Sequence, residues 1–227
     1  MNEETKLFIV PTPIGNLKDI TFRSIETMKK SDYILCEDTR VSKKLLNHYK
    51  INKPLKTYHA HNEHKVYSKY IHDMKLGKKI CLVSDAGTPS ISDPGYLLVK
   101  EANKLKLKIE CLPGPTALIP ALVKSGLPSE KFVFEGFLPT KKGRKKRLDF
   151  LLNETRTMIF YESPLRLLKT IKEFKNIFGD ERKVSVSREI SKIYEETING
   201  SLSKVHEILL NKKIKGEIVI VLTGSKK

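Results

Sequence analysis

At 227 residues with 39% apolar side chains, the chain is long enough for one large domain or two small ones with ordinary cores. Its formal charge of +17 points to a polyanionic partner, although only eight of the 43 basic residues are Arg and a general lysine bias explains part of it. No apolar run reaches the length of a membrane span, and the start MNEETKLFIVPTP is acidic where a signal peptide is basic.

KLFIV reads as the first strand, PTPIGN as a loop and LKDITFRSIETMKKS as a helix with Ile20, Ile25 and Met28 turned inward. The pattern repeats in DYILCED with TRVSKKLLNHY, LKTYHA with HNEHKVYSKYIHDMKLG, KKICLV with PGYLLVKEANKL, and LKIECL with PTALIPALVKSG. Such strand–loop–helix units predict an α/β domain with a mostly parallel sheet. The strands alternate little and are rich in Ile, Leu, Val and Cys, as expected when helices cover both faces. Cys36, Cys81 and Cys111 each sit at or beside such a run, which predicts buried thiols in a reducing cytoplasm.

The second half differs. KFVFEGF, TMIFYES, KVSVSREI, IYEETING and GEIVIVLTG read as strands, and RKKRLDFLLNE, PLRLLKTIKEFKNIFG and SLSKVHEILLNK as helices. Two of these strands follow one another without a helix, which predicts a mixed sheet. SGLPSEK interrupts the periodicity, so two α/β domains are expected at 1–126 and 127–227, with a ligand cleft between them.

In open parallel sheets, ligands bind beyond the carboxyl ends of the strands. Three loops fall there: PTPIGN, SDAGTPSISDPG and PGPT. Their Pro and Gly residues set rigid shape and allow close backbone approach. Asp93 and Pro94 suit a helix start, as does Thr116. There is no GxGxxG after the first strand and no GxxxxGK[ST], which counts against NAD and P-loop chemistry.

KKGRKKR (141–147) is the densest charge run. Lys141, Arg144, Lys145 and Arg147 are its candidates for phosphate contact, and about five neutralised phosphates of a single strand would give a salt slope of about −3.5. In HAHNEH, His59 and His61 share a face if the strand continues, while His64 starts the next helix. No cysteine lies nearby, and His61, Asn62 and Glu63 read better as a polar wall against a polyanionic partner than as metal ligands.

Taken in order, PTPIGNLKDIT, CEDTR, HAHNE, SDAGTPSISDPG, PGPTA, EGFLP, YESPLR, SREISK and GEIVIVL resemble the bacterial 16S ribosomal RNA cytidine 2′-O-methyltransferase family, a branch of the tetrapyrrole methylase superfamily. The resemblance spans nearly the whole chain. It implies a cytoplasmic, homodimeric, two-domain enzyme that uses S-adenosylmethionine and no metal to methylate a cytidine ribose in the decoding region of the small ribosomal subunit. It also implies that Pro13, Ile14, Asp85, Ala86, Gly87, Thr88, Ile91, Thr116 and Ala117 surround the methyl donor, with Tyr161, Glu162 and Gly200 contributed by the second domain. For the transfer, CEDTR offers the acids Glu37 and Asp38, of which Asp38 is expected as base or hydroxyl orienter, with Arg40 holding a neighbouring phosphate, against a plain structural ion pair. Arg188 in SREISK is a further RNA candidate. Two other readings stay open. One is a tetrapyrrole (precorrin or uroporphyrinogen) C-methyltransferase, which the basic run and the glycine-poor first loop disfavour. The other is a non-catalytic rRNA-binding assembly factor.

Overall fold

The computed structural model describes residues 4–225. These divide between Thr116 and Ala117 into two compact units. The first holds a parallel sheet of β1 (Leu7–Ile9), β2 (Tyr33–Cys36), β3 (Leu55–Thr57), β4 (Ile80–Leu82) and β5 (Ile109–Cys111), ordered β3-β2-β4-β1-β5. Helices α1 (Phe22–Lys30), α2 (Thr39–His48), α3 (Glu63–Lys75) and α4 (Tyr96–Lys104) connect its strands.

The lack of alternation in the strands has the expected cause. Leu7, Leu35, Ile80, Leu82 and Leu98 pack in one cluster, and Val10, Ile34, Cys36, Cys81 and Met28 in another. Successive residues of β2 and β4 thus enter different cores, and both faces of the sheet are apolar. Cys111 departs from expectation: it lies on the edge strand β5 and is exposed, whereas Cys36 and Cys81 are buried. The first helix also begins later than its periodicity predicts. Residues Leu17–Asp19 form a separate 3-10 turn capped by Asn16, and Thr21 then accepts a hydrogen bond from the Ser24 amide to start α1.

The second unit comprises α5 (Leu118–Ser125), β6 (Phe132–Phe137), α6 (Arg144–Leu151), β7 (Thr157–Glu162), α7 (Pro164–Phe178), β8 (Lys183–Arg188), β9 (Glu196–Ser201), α8 (Leu202–Leu210) and β10 (Ile218–Leu222). Its sheet runs β6-β7-β10-β8-β9; β6 pairs parallel to β7 and the other pairings are antiparallel. That is the mixed sheet predicted from two consecutive strands. Met158, Phe160, Val184, Val186, Ile220 and Leu222 form its core with Ile171, Phe174 and Val205 from the helices. α5 packs against β8 and β10. The strand predicted at IYEETING begins only at Glu196, leaving Ile193 and Tyr194 exposed ahead of it. Among the described residues, no helix is long and apolar enough to cross a membrane.

Candidate active site

The strand order of the first unit determines which loops meet. β2, β4, β1 and β5 are consecutive neighbours and all parallel, so the loops after them leave the same edge side by side. The chain reaches β2 and β3 on one side of β4 and returns to β5 on the other side of β1. This is the switch-point topology at which open α/β sheets hold ligands.

Hydrogen bonds knit these loops together. Thr12 and Gly87 exchange both backbone bonds, at 2.9 and 3.0 Å. The Thr12 hydroxyl donates to the Ser84 carbonyl at 3.0 Å, and the Ser84 hydroxyl donates to the Gly87 carbonyl at 3.0 Å. Thr88 Oγ1 donates to the Pro115 carbonyl at 2.9 Å. From the fourth loop, the Asp38 amide donates to Asp85 Oδ1 at 3.2 Å. Thr12 and Ser84 are buried polar residues, and sequence reasoning did not select either; their signal was a hydroxyl inside an otherwise Pro- and Gly-rich turn.

The SDAGTPSISDPG loop is shaped by unusual backbone. Ser90 (φ 71°) and Ser92 (φ 64°) occupy left-handed conformations that non-glycine residues adopt infrequently. Ser90 Oγ is buried with no hydrogen-bond partner among the described residues. Neither helix start predicted in these loops takes the expected form. α4 is capped by Gly95 (φ 141°), not Asp93, and α5 follows Ala117, not Thr116; neither has a side-chain cap. The charge of Asp93 is felt at Glu37.

Two adjacent carboxyl groups therefore behave differently. Asp38 caps α2, accepting from the Arg40 amide at 2.8 Å, and its oxygens also receive the Arg40 guanidinium at 2.6 to 3.2 Å. Those Arg40 hydrogen bonds hold it down at about 2. Glu37 is half-buried, and desolvation followed by the charges of Asp93 and Asp85 raises it to about 7, a contact with the Asp85 backbone working the other way. Burial likewise raises Asp85.

In the HAHNEH stretch the strand stops at Thr57, so His59 and His61 lie in a loop and not on a shared strand face; their rings meet edge-on at 6.0 Å. Asn62 folds that loop, accepting from the His59 amide at 2.9 Å, while Glu63 receives the Tyr58 hydroxyl at 3.3 Å. His61 is exposed. Among the described residues, no three His, Cys, Asp or Glu side chains are grouped as metal ligands.

Residues 6–206 match the family described as tetrapyrrole (corrin/porphyrin) methylases. Over 219 residues the chain is 46% identical to the ribosomal RNA small subunit methyltransferase I of Thermotoga maritima, a match covering 96% of this chain and 98% of that one. The chain belongs to the methyltransferase I family. The Rickettsia prowazekii member is 46% identical over 220 residues, covering 96% of this chain and 78% of its own length. The solved cobalt precorrin-4 methyltransferase, with a TM-score of 0.69, 18% identity and coverage of 96% of this chain and 94% of that one, shares the fold.

In this methyltransferase, the second-unit candidates are held as follows. Glu162 is buried, and its carboxylate accepts from the Ser163 amide, Thr170 Oγ1 and the Arg166 guanidinium at 2.7 to 2.8 Å. Tyr161 stacks edge-on between Phe134 and Phe137, and Gly200 lies on β9 over Lys204 and Val205 of α8. Arg188 pairs with Glu196 at 2.8 Å. The basic run splits in two. Arg144 is buried, bonded to Glu173 at 2.7 Å, Thr170 at 2.7 Å and the Pro139 carbonyl at 3.2 Å. Arg147 is clasped by both oxygens of Glu135 at 2.7 Å. Lys141 and Lys145 are exposed.

Proposed function

We propose that this methyltransferase transfers a methyl group from S-adenosylmethionine to the 2′-hydroxyl of a cytidine ribose in 16S ribosomal RNA, in the decoding region of the small subunit. The observation that carries this reading is the near-full-length identity to enzymes named for small-subunit ribosomal RNA, combined with four interlocked loops on one sheet edge. The 18% likeness to a precorrin enzyme speaks for the fold alone.

The loop residues fit the donor. Its sulfonium and ammonium are cationic, and Glu37, Asp85 and Asp93 gather negative charge where the loops meet. Gly87 presents bare backbone beside Ile14, and Ser90 Oγ has an unused hydrogen-bonding capacity. Pro13, Ile14, Asp85, Ala86, Gly87, Thr88, Ile91, Thr116 and Ala117 are the proposed donor contacts, with Tyr161, Glu162 and Gly200 as the second-unit set. When bound, the donor supplies an activated methyl group on a good leaving group.

The protein must then position a weakly acidic ribose hydroxyl and take its proton. Glu37, poised near 7, suits that proton transfer better than Asp38, which is locked to Arg40 near 2. Asp38 orients the loop through its amide contact to Asp85, and Arg40, whose side chain is 87% exposed, stands ready for a phosphate. His61, Asn62, Glu63, Lys141, Lys145, Arg147 and Arg188 make up the RNA-facing set, with Arg144 bracing the second unit from inside. A homodimer working in the cytoplasm belongs to the same reading.

The test is incubation with labelled S-adenosylmethionine and small subunits lacking the modification, followed by mapping of the product. Label on a cytidine 2′-oxygen supports the assignment; label on a base, or none on RNA, overturns it. A chain with no affinity for the donor is instead an rRNA-binding assembly factor.

A further inference from the structure

The second unit carries a cavity of about 510 Å³ lined by its own residues. Phe137, Phe150, Lys146, Arg147 and Glu135 line it, all from β6, α6 and the turn between them. The volume suits a single nucleoside-sized group. Two features make it unusual as a surface. Phe150 is 70% exposed and Phe137 53% exposed, so two aromatic faces stand open to solvent within one concavity.

Its geometry is held from beneath. The β6–β7 register shifts between Phe134 and Gly136, and Glu135 falls at that irregularity. The Glu135 side chain, 7% exposed, grips Arg147 through two parallel hydrogen bonds. That clasp fixes the guanidinium plane, whose carbon lies 5.0 Å from the centre of the Phe150 ring. Phe137 is steadied edge-on by Tyr161 at 5.8 Å. Lys146 lines its rim, Lys141, Lys142 and Lys145 flank it in sequence, and all four are exposed with no ion-pair partner among the described residues.

We infer that this cavity is a stacking platform for an unpaired nucleotide of the RNA substrate. The base lies against Phe150 and Phe137, and the flanking phosphates are neutralised by the rim lysines. Aromatic faces joined to a fixed Arg and free lysines are the combination that single-stranded nucleic acid requires. A second copy of the chain fits less well, because symmetric contact here would bring two lysine rims of a +17 protein together. The inference deepens the rRNA reading and rests on it for the identity of the strand.

The experiment measures binding of a fluorescent, unstructured single-stranded RNA to the full chain across a salt series, with sedimentation of each variant. Phe150→Ala removes an exposed ring from a helix and improves helix propensity, so folding is not at risk. It should weaken RNA binding about 10-fold with the salt slope unchanged. Phe150→Trp should bind as tightly as the unaltered chain. Lys145→Gln with Lys146→Gln should reduce the magnitude of the slope by about 1.4. Affinity for S-adenosylhomocysteine should stay constant in all three. Phe150→Ala binding within twofold of the unaltered chain overturns the platform, as does a Phe150→Ala protein that loses a dimer while each copy binds RNA as before. The labelled-subunit assay separates the two levels. If methyl transfer to RNA occurs and Phe150→Ala binding is normal, only the platform fails. If no transfer occurs but binding depends on Phe150, the platform stands and the assigned reaction fails.

Discussion

Glu37 and Asp38 are consecutive residues at the end of β2, yet one carboxyl group sits near 7 and the other near 2. The chain turns into α2 between them. Asp38 becomes the cap and receives Arg40, while Glu37 is desolvated and feels the charges of Asp93 and Asp85. On the proposed function, two carboxyl groups with separated affinities are suited to divide the work of structure and proton transfer.

Glu37→Gln should therefore lower the methyl-transfer rate by about 100-fold or more with donor affinity nearly unchanged, as expected for loss of a general base. The unaltered enzyme should show a rate that rises through pH 7, and the variant should lose that inflection. Asp38→Asn, which keeps a capping side chain, should cost less than Glu37→Gln. Rate measurements on both across pH 5.5 to 8.5 check the order; equal losses, or an inflection surviving in Glu37→Gln, contradict it.

The same group predicts how stability varies with pH. Its folded value of about 7 lies above its ordinary 4.5, so the native state holds a proton that the unfolded chain releases between those values. That contribution is complete below 4.5 and is lost as pH rises through 7. Glu37→Gln should gain stability relative to the unaltered chain on going from pH 5 to pH 8. The gain should be about 1 kcal/mol, since Glu37 is only half-buried and solvent screens its neighbours. Thermal melts at the two pH values decide the matter, a constant difference being the contrary result.

Gly95 tests the shape of the long loop. An alanine there would place its Cβ 2.3 Å from Ser90 Oγ and 2.9 Å from Leu82 Cδ2, at a φ of 141°. Gly95→Ala should destabilise the chain by about 2 kcal/mol and weaken donor binding along with it. Calorimetry with S-adenosylhomocysteine beside a denaturant melt measures both; an unaltered midpoint would show that the loop accommodates the side chain.

Within the basic run, burial separates bracing from binding. Arg144→Ala takes the buried guanidinium away from Glu173, Thr170 and the Pro139 carbonyl and should cost about 3 kcal/mol of stability. Its RNA-binding salt slope should remain that of the unaltered chain. Lys145→Gln should do the reverse, holding stability and reducing the slope by about 0.7. A slope change in Arg144→Ala at undiminished stability would reverse the two roles.

Much of this was legible in the sequence because it depended on periodicity and on turn residues. The β1, β4 and β5 loops were recognisable by their Pro and Gly content, and the mixed second sheet by two strands with no helix between them. Other features depended on tertiary neighbours. Nothing in KKGRKKR marks Arg144 as the buried member, since that follows from Glu173 and Thr170 on a helix more than twenty residues later. CEDTR points to Asp38 as the base, because nothing in the motif shows that Arg40 engages Asp38 or that Glu37 is desolvated near the charges of Asp93 and Asp85. Asp93 looked like a cap because it precedes a proline, but Gly95 could adopt the backbone angle that starts α4. The exposure of Cys111 likewise required the strand order, which alone makes β5 an edge.

A crystal structure with S-adenosylhomocysteine would reveal whether the loops after β1, β2, β4 and β5 together hold the methyl donor, as proposed. Ligand density is expected against Ile14, Asp85, Gly87 and Thr88, with Glu37 near the position of the missing methyl group. Density lying away from all four loops would contradict that proposal.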